Sequence, residues 1–245
     1  CHVLTFTSTG AVQDHLVLHP SLETGNFIIK AVWLPGSQTE LAVVTADFVK
    51  IYNLSQDAIS PQYYFLLPSG KIRDTTFMFT EEGHHLLLMS SAGYIYTQPM
   101  DEASSARHGP FYITNILELK HADIKETDSQ IAGGGVSVYY SHILQLLFFS
   151  YAHGRNFAAG IPKDVDALPV LFPITFKSSN GGKSGCQALV QWTEVANHPG
   201  LVCGMTQTSN NPVILMVKPD TILVQEIKVL PAKAKIQDMV AIRHQ

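Results

Sequence analysis

The sequence predicts an all-β chain: a β-propeller of WD40-like, four-stranded blades, incomplete within these residues. Three observations carry that prediction. Helical periodicity is nearly absent along the 245 residues. Short runs rich in Val, Ile, Phe, Tyr and Thr recur, cut by Gly, Pro, Asn and Asp, as strands and turns require. Those runs come in groups of four, the repeat of a propeller blade.

Taken in order, the first clear unit opens with "FIIKAVWLPGSQ", a strand ending in a Pro-Gly turn. "ELAVVTAD", "FVKIYNL" and "QYYFLLPSG" supply its other strands. A second unit reads "KIRDTTFMFTEEG", "HHLLLMSSAG", "YIYTQPM" and "PFYITNILEL". A third reads "GGVSVYYSHIL", "QLLFFSYAHG", "NFAAGIP" and "VLFPITFKSS". A fourth reads "QALVQWTEVANHPG", "LVCGMTQTSN", "PVILMVKPD" and "ILVQEIKVLP", and "KIQDMVAIR" opens a fifth. The approximate blades are therefore 1–27 (partial), 28–70, 71–132, 133–186, 187–234 and 235–245 (first strand only). Lys71-Ile72-Arg73-Asp74 is echoed by Lys235-Ile236-Gln237-Asp238 at the same place in two units.

The second strand of each unit is the most continuously apolar: "LAVVT", "LLLMSS", "LLFFSY", "LVCGM". A strand packed on both faces reads this way. The third strand of the first unit alternates, with Phe48, Lys50 and Tyr52 on one side. The stem of Lys50 is expected to lie along its aromatic neighbours while the ammonium reaches water. Residues 100–109 and 120–134 read as flexible surface inserts. The strand count does not close a ring. Either blades lie outside this sequence, or its two ends join, with residues 235–243 beside residues 3–7.

Only 15% of the residues are charged and 46% are hydrophobic, against about 25% charged in an ordinary soluble chain. Much of the surface is expected to be covered, by the rest of a larger protein. Cys1 in place of Met, and an end inside an apolar pattern, point the same way. The net charge of −4 offers no basic stripe, which argues against nucleic acid. No apolar run is long enough for a membrane-spanning helix, and no secretory leader is visible. Three scattered cysteines, Cys1, Cys186 and Cys203, suggest a reducing compartment rather than a disulfide framework. The sequon at Asn53 then reads as chance.

Chemistry finds little support in the residues. "GGKSG" (181–185) lacks the first glycine of a phosphate loop, where Lys177 stands, and precedes a strand, so it reads as a hairpin tip. "GGG" (133–135) reads as a turn free to take positive φ. His84 and His85 point to opposite faces of a strand, and His15 and His19 have no cysteine companions, so no zinc set forms. Cys186 with His198 would be a dyad only through tertiary accident, and Cys203 sits in an apolar run as a buried inert thiol. Asp47, at a hairpin turn, and Asp74 are expected to bond nearby backbone amides. No catalytic, cofactor-binding or metal-binding residue is assigned, and no cofactor is expected in this segment.

Several stretches resemble one family. "VTADFVKIYNLS", "YYFLLPSGKIRDTTFMF", "SSAGYIYTQ", "DEASSA", "GGGVSVYYSHILQLLFFSY", "NHPGLVC", "VKPDTILVQEIK" and "LPAKAKIQDMVAIRH" look like the giant UBR-box E3 ubiquitin ligases, the Calossin/Pushover/BIG family of N-recognins. The resemblance covers nearly the whole chain, least distinctively over residues 151–190. It implies a β-propeller segment inside a very large ligase. It also implies a zinc-stabilised UBR box and a zinc-containing ubiquitin-transfer module elsewhere in that protein. Calmodulin, an E2 enzyme and a zinc-finger ligase are the partners it implies.

The resulting expectation is a non-catalytic scaffold and protein-interaction module of an E3 ubiquitin-protein ligase of the N-degron pathway. It is expected to be cytoplasmic, with nuclear or cytoskeletal association also open. Contact is expected through residues 100–109, 120–134 and 178–185. The alternative is a propeller with a small-molecule or ion site in its central channel, built from Asp74, Tyr139, His142, Gln191 and Asp238.

Overall fold

The computed structural model describes residues 1–163, 167–176, 186–207, 211–227 and 235–241. They are almost wholly β, with one 3-10 turn, Ala106–His108. The chain divides into two compact units. One comprises Cys1–Ile72 with Gln98–Thr114, the other Arg73–Thr97 with Asn115–Gln245.

In the first unit, β1 (His2–Phe6) and β2 (Val12–Val17) form a hairpin. The first sheet contains β3 (Ile28–Trp33), β4 (Glu40–Thr45), β5 (Val49–Asn53) and β6 (Tyr63–Leu66), antiparallel and in chain order. Leu41, Val43 and Tyr52 from this sheet pack with Leu18, Leu16 and Val3 from the hairpin. The hairpin therefore gains the apolar partner that an isolated two-stranded ribbon lacks.

The turn between β4 and β5 corrects one expectation. The amides of Asp47 and Phe48 are capped by the Thr45 hydroxyl, at 3.2 and 3.1 Å. The Asp47 carboxylate instead accepts from Asn26 (2.6 Å) and pairs with Lys71. Lys50 corrects another. Its side chain is only 9% exposed. The ammonium lies 4.5 and 4.6 Å from the ring centres of Phe48 and Tyr64 and donates to the Pro20 carbonyl at 2.6 Å. Burial holds its pKa below the usual lysine range. The aromatic faces and the carbonyl replace the water that the sequence pattern assigned to it.

Among the described residues the second unit holds three sheets of three or four strands and one small two-stranded hairpin. The second sheet is β7 (Ile72–Thr80), β8 (Gly83–Ser90) and β9 (Ile95–Pro99). The expected fourth strand, 110–119, is split. Phe111–Tyr112 forms β10, which pairs parallel to β6 in the first unit. Ile116 bridges Tyr96 of β9. One run of apolar residues serves two sheets because the chain crosses from one unit to the other within it.

The third sheet is β13 (Gly135–Ser141), β14 (Leu146–Tyr151), β15 (Arg155–Gly160) and β16 (Val170–Ile174). The fourth is β17 (Leu189–Glu194), β18 (Leu201–Thr206), β19 (Pro212–Val217) and β20 (Ile222–Glu226). Both are antiparallel meanders in chain order. Leu147, Phe149 and Tyr151 of β14 pack with Leu87 and Met89 of β8 and Ile95 of β9. Phe148, between them in sequence, faces Leu189, Trp192 and Val202 of the fourth sheet. Alternate residues of one strand thus enter two cores, which explains its unbroken apolar run.

The expected loop at 120–134 is partly structured. It contains a small hairpin, β11 (Glu126–Thr127) with β12 (Gln130–Ile131). Ile124, Ile131 and Ala132 pack against the core shared by the second and third sheets. Gly133 and Gly134 take φ of 83° and 104°, as the Gly-Gly-Gly turn requires. Gly135 serves differently: a Cβ there would stand 2.3 Å from the Ser90 carbonyl oxygen, so the strands meet too closely for a side chain.

Candidate interaction surface

Side chains stitch the sheets of the second unit together. The β13 amides of Val138 and Tyr140 donate to Asp74 (3.0 Å) and Thr76 (2.9 Å) of β7. His142 accepts in return from the Phe79 amide at 3.0 Å. Edge amides that would otherwise be bare are thereby satisfied. Between the third and fourth sheets, the hydroxyls of Ser137 and Ser150 meet at 2.5 Å, and both reach the Leu189 carbonyl. The Trp192 indole donates to Ser137 at 2.9 Å. Asn156 donates to the Gln187 carbonyl and accepts from the Leu189 amide, each at 2.8 Å.

These bonds decide the fate of the five expected channel residues. Asp74 and His142 are engaged by backbone amides. The Tyr139 hydroxyl donates to Glu194 at 2.7 Å, and Ser141 donates to the other Glu194 oxygen. Burial first, and Glu194 second, push the Tyr139 pKa up. Gln191 reaches the Gln237 carbonyl at 3.4 Å, and Asp238 accepts from its neighbour Met239. The five are engaged with separate partners rather than converging on one ligand. Glu194 was not singled out in the sequence, because nothing local ties it to a tyrosine 55 residues away.

The other chemical candidates resolve in the same way. The Cys186 thiol meets Asn156 and the carbonyls of Ile174 and Gln187. Burial pushes the Cys203 thiol pKa up, away from nucleophilic use. His15 contacts His2 rather than His19, and His84 stacks on Phe79. Among the described residues no three His, Cys, Asp or Glu side chains are grouped to hold a metal. Residues 177–185, including the Gly-Gly-Lys-Ser-Gly stretch and the expected contact tip, lie outside the described residues.

One insert does build a surface. Residues 100–109 were expected to be a flexible loop but are pinned. Ser104 is fully buried; it donates to the Pro99 carbonyl at 2.9 Å and exchanges hydrogen bonds with Asp101. The Ala106 amide and the Ser105 hydroxyl both donate to the Gln62 carbonyl. Arg107 pairs with Glu102. Facing the insert is the turn after β5. Asn53 accepts from the amide and hydroxyl of Ser55. Asp57 accepts from the amides of Ile59 and Ser60, which hold its carboxyl below the usual range.

Between the turn and the insert lies an open cleft of about 380 Å³, lined by Asn53, Asp57, Gln62, Ser105 and Arg107 among others. The Gln62 side-chain oxygen is buried there without a hydrogen-bond partner. Ile59, in the turn held by Asp57, is 87% exposed. The cleft thus brings together a guanidinium, a carboxylate and side-chain amides, with an exposed apolar side chain in the turn beside them. Asp57 followed by Ser60-Pro61 is a legible turn signal. The pairing of that turn with the insert is not, because it joins residues 43 positions apart.

Comparisons agree with the fold. The structure resembles the β-propeller domain of Cps50 (Swd1) from Myceliophteria thermophila, with a TM-score of 0.51 and 11% identity. The match covers 82% of this chain and 58% of that one. A protein of Lactobacillus plantarum gives a TM-score of 0.56 at 17% identity, over 93% of this chain and 63% of that one. No family model matches the sequence. Among curated relatives, Protein purity of essence of Drosophila pseudoobscura pseudoobscura is 51% identical over all of this chain. Auxin transport protein BIG of rice, Oryza sativa subsp. japonica, is 32% identical over 93% of it. A probable E3 ubiquitin-protein ligase of Dictyostelium discoideum is 31% identical over 70% of it. The chain spans only 5%, 4% and 3% of the lengths of these three relatives. With four-stranded meanders, propeller-like structures and these relatives together, the chain belongs to the giant BIG family, of which it represents a β-propeller segment.

Proposed function

We propose that the chain is a non-catalytic scaffold and protein-interaction module of a giant E3 ubiquitin-protein ligase of the N-degron type, supporting substrate ubiquitination and protein quality control. The observation that carries this reading is a match over 70 to 100% of the chain to relatives that are some twenty or more times longer, one of them, matched over 70%, named a probable E3 ligase. Sheets packed through apolar cores make a stiff frame, and loops on such a frame are where recognition concentrates. The cleft between the turn after β5 and the pinned insert is the surface best suited to that task.

In this reading, zinc, the UBR box and the E2-binding module belong to other parts of the protein, as does calmodulin binding. In the same reading the chain works in the cytoplasm, with nuclear or cytoskeletal association also open. Among the described residues, no helix is long and apolar enough to cross a membrane.

The test is deletion of residues 1–245 from the full-length protein. Ubiquitin transfer is expected to persist while a defined set of co-purifying proteins is lost. An unchanged set would overturn the scaffold role. Ubiquitin discharge from an E2 by the isolated segment would overturn its non-catalytic character. Arg107→Ala and Ile59→Asp localise the effect: losses reproduced by either assign recognition to the cleft.

A further inference from the structure

Among the described residues, the third sheet is covered on both faces and the fourth on one. Val202, Val213 and Leu215 of the fourth sheet turn into the core shared with the third. The register places their sequence neighbours on the other face. Leu201 stands opposite Met216, which stands opposite Leu223; Cys203 stands opposite Ile214. Residues directly opposite one another share a face, as do residues two apart on one strand. Leu201, Cys203, Ile214, Met216 and Leu223 therefore form one apolar surface. Met216 is 44% exposed and Leu223 50%. A contiguous apolar patch of this kind marks a surface that something else covers.

What covers it follows from the path of the chain. Val190 and Met205 lie at the other end of the same face, since Leu189 and Val202 point into the shared core. Lys235, Ile236 and Gln237 line a small cleft with Val190 and Met205. The Gln191 side chain holds the Gln237 carbonyl. After the last strand of the fourth sheet, the chain thus returns alongside its first strand, β17. The preceding step has the same form: after β16 the chain returns as β17, whose Trp192 and Glu194 bond to Ser137, Tyr139 and Ser141 of β13. Residues 235–241 stand where the first strand of a next sheet would begin. They form no strand themselves, as an isolated segment without ladder partners would not. Their opening matches Lys71–Asp74 at three of four positions, and Ile72 begins β7.

We infer that the face made by Leu201, Cys203, Ile214, Met216 and Leu223 is the seat of a further β-sheet, supplied by the polypeptide that follows residue 245 in a protein of the relatives' length. The relatives extend far beyond the matched region. The inference rests on that length and on the stacking of sheets, not on the ligase reading.

The test is maleimide labelling of Leu223→Cys, read by peptide mass spectrometry. In the full-length protein the modified peptide is expected to form at least about tenfold more slowly than in a chain ending at residue 245. Amide protection in β14 verifies that the shortened chain is folded. Equal, fast labelling in both forms overturns the inference. Slow labelling in both, with sedimentation showing a dimer of the shortened chain, overturns it in favour of a second copy. Should the shortened chain lose protection in β14, Ile59→Cys in the full-length protein is the reference. Leu223→Cys labelling as fast as Ile59→Cys overturns the inference, and labelling about tenfold slower supports it.

Discussion

Strands β14 and β18 hold the same position in consecutive sheets and read alike, "LLFFSY" and "LVCGMT". Their surroundings differ. In β14, Leu147, Phe149 and Tyr151 enter one core and Phe148 the other, and Ser150 is sealed by the Leu189 carbonyl. In β18, Val202 is buried in the shared core while Leu201 and Cys203 face the half-open side. Apolar composition alone does not distinguish a strand packed twice from one packed once. Energetically the two cases are far apart. Each fully buried large side chain contributes roughly 1.5–3 kcal/mol, and a half-exposed one only part of that.

Substitutions in this chain should rank accordingly. Phe149→Ala removes a ring that stacks on Phe157 and meets Tyr151 edge-on. It is expected to cost about 3–5 kcal/mol in urea unfolding, through lost contacts and the cavity left behind. A cost below about 1 kcal/mol would break the comparison, by showing that this side of β14 is not closed.

Asn156→Ala comes next, at about 2 kcal/mol, because it strands the Leu189 amide and removes one donor from the Gln187 carbonyl inside the seam between the third and fourth sheets. Its effect should appear as faster amide exchange in β17 and β18 with β7 unchanged. Thr76→Val keeps the shape and removes one acceptor, that of the Tyr140 amide. About 1 kcal/mol is expected, with exchange rising at Tyr140. The pair sharpens the contrast, since each variant opens a different side of the third sheet. The smallest effect belongs to Leu223→Ser, expected to lie within about 0.5 kcal/mol of the parent in a chain ending at residue 245. A loss comparable to that of Phe149→Ala would mean the open face is already covered.

Much of the architecture was readable because strand signals are local. Alternation, turn residues and the unbroken run at β14 all sit within windows of a few residues. The readings that changed share the opposite property. Lys50 looked amphipathic, and only Pro20, 30 residues earlier, shows where its charge is held. Residues 100–109 looked flexible, and only Gln62 shows that they are tied down. The run at 110–119 looked like one strand, and only the division into two units shows that it serves two sheets.

Local pattern was thus enough to show that the described residues are almost wholly β and which of the strands are most apolar. Those properties depend on backbone geometry with a period of two residues, and a short stretch carries them completely. The tertiary structure alone decided which faces are closed, which polar side chains cap which edges, and that a turn and an insert enclose a cleft. These depend on groups brought together from 43 to 64 positions apart, and no local pattern encodes which distant partner will satisfy a buried donor.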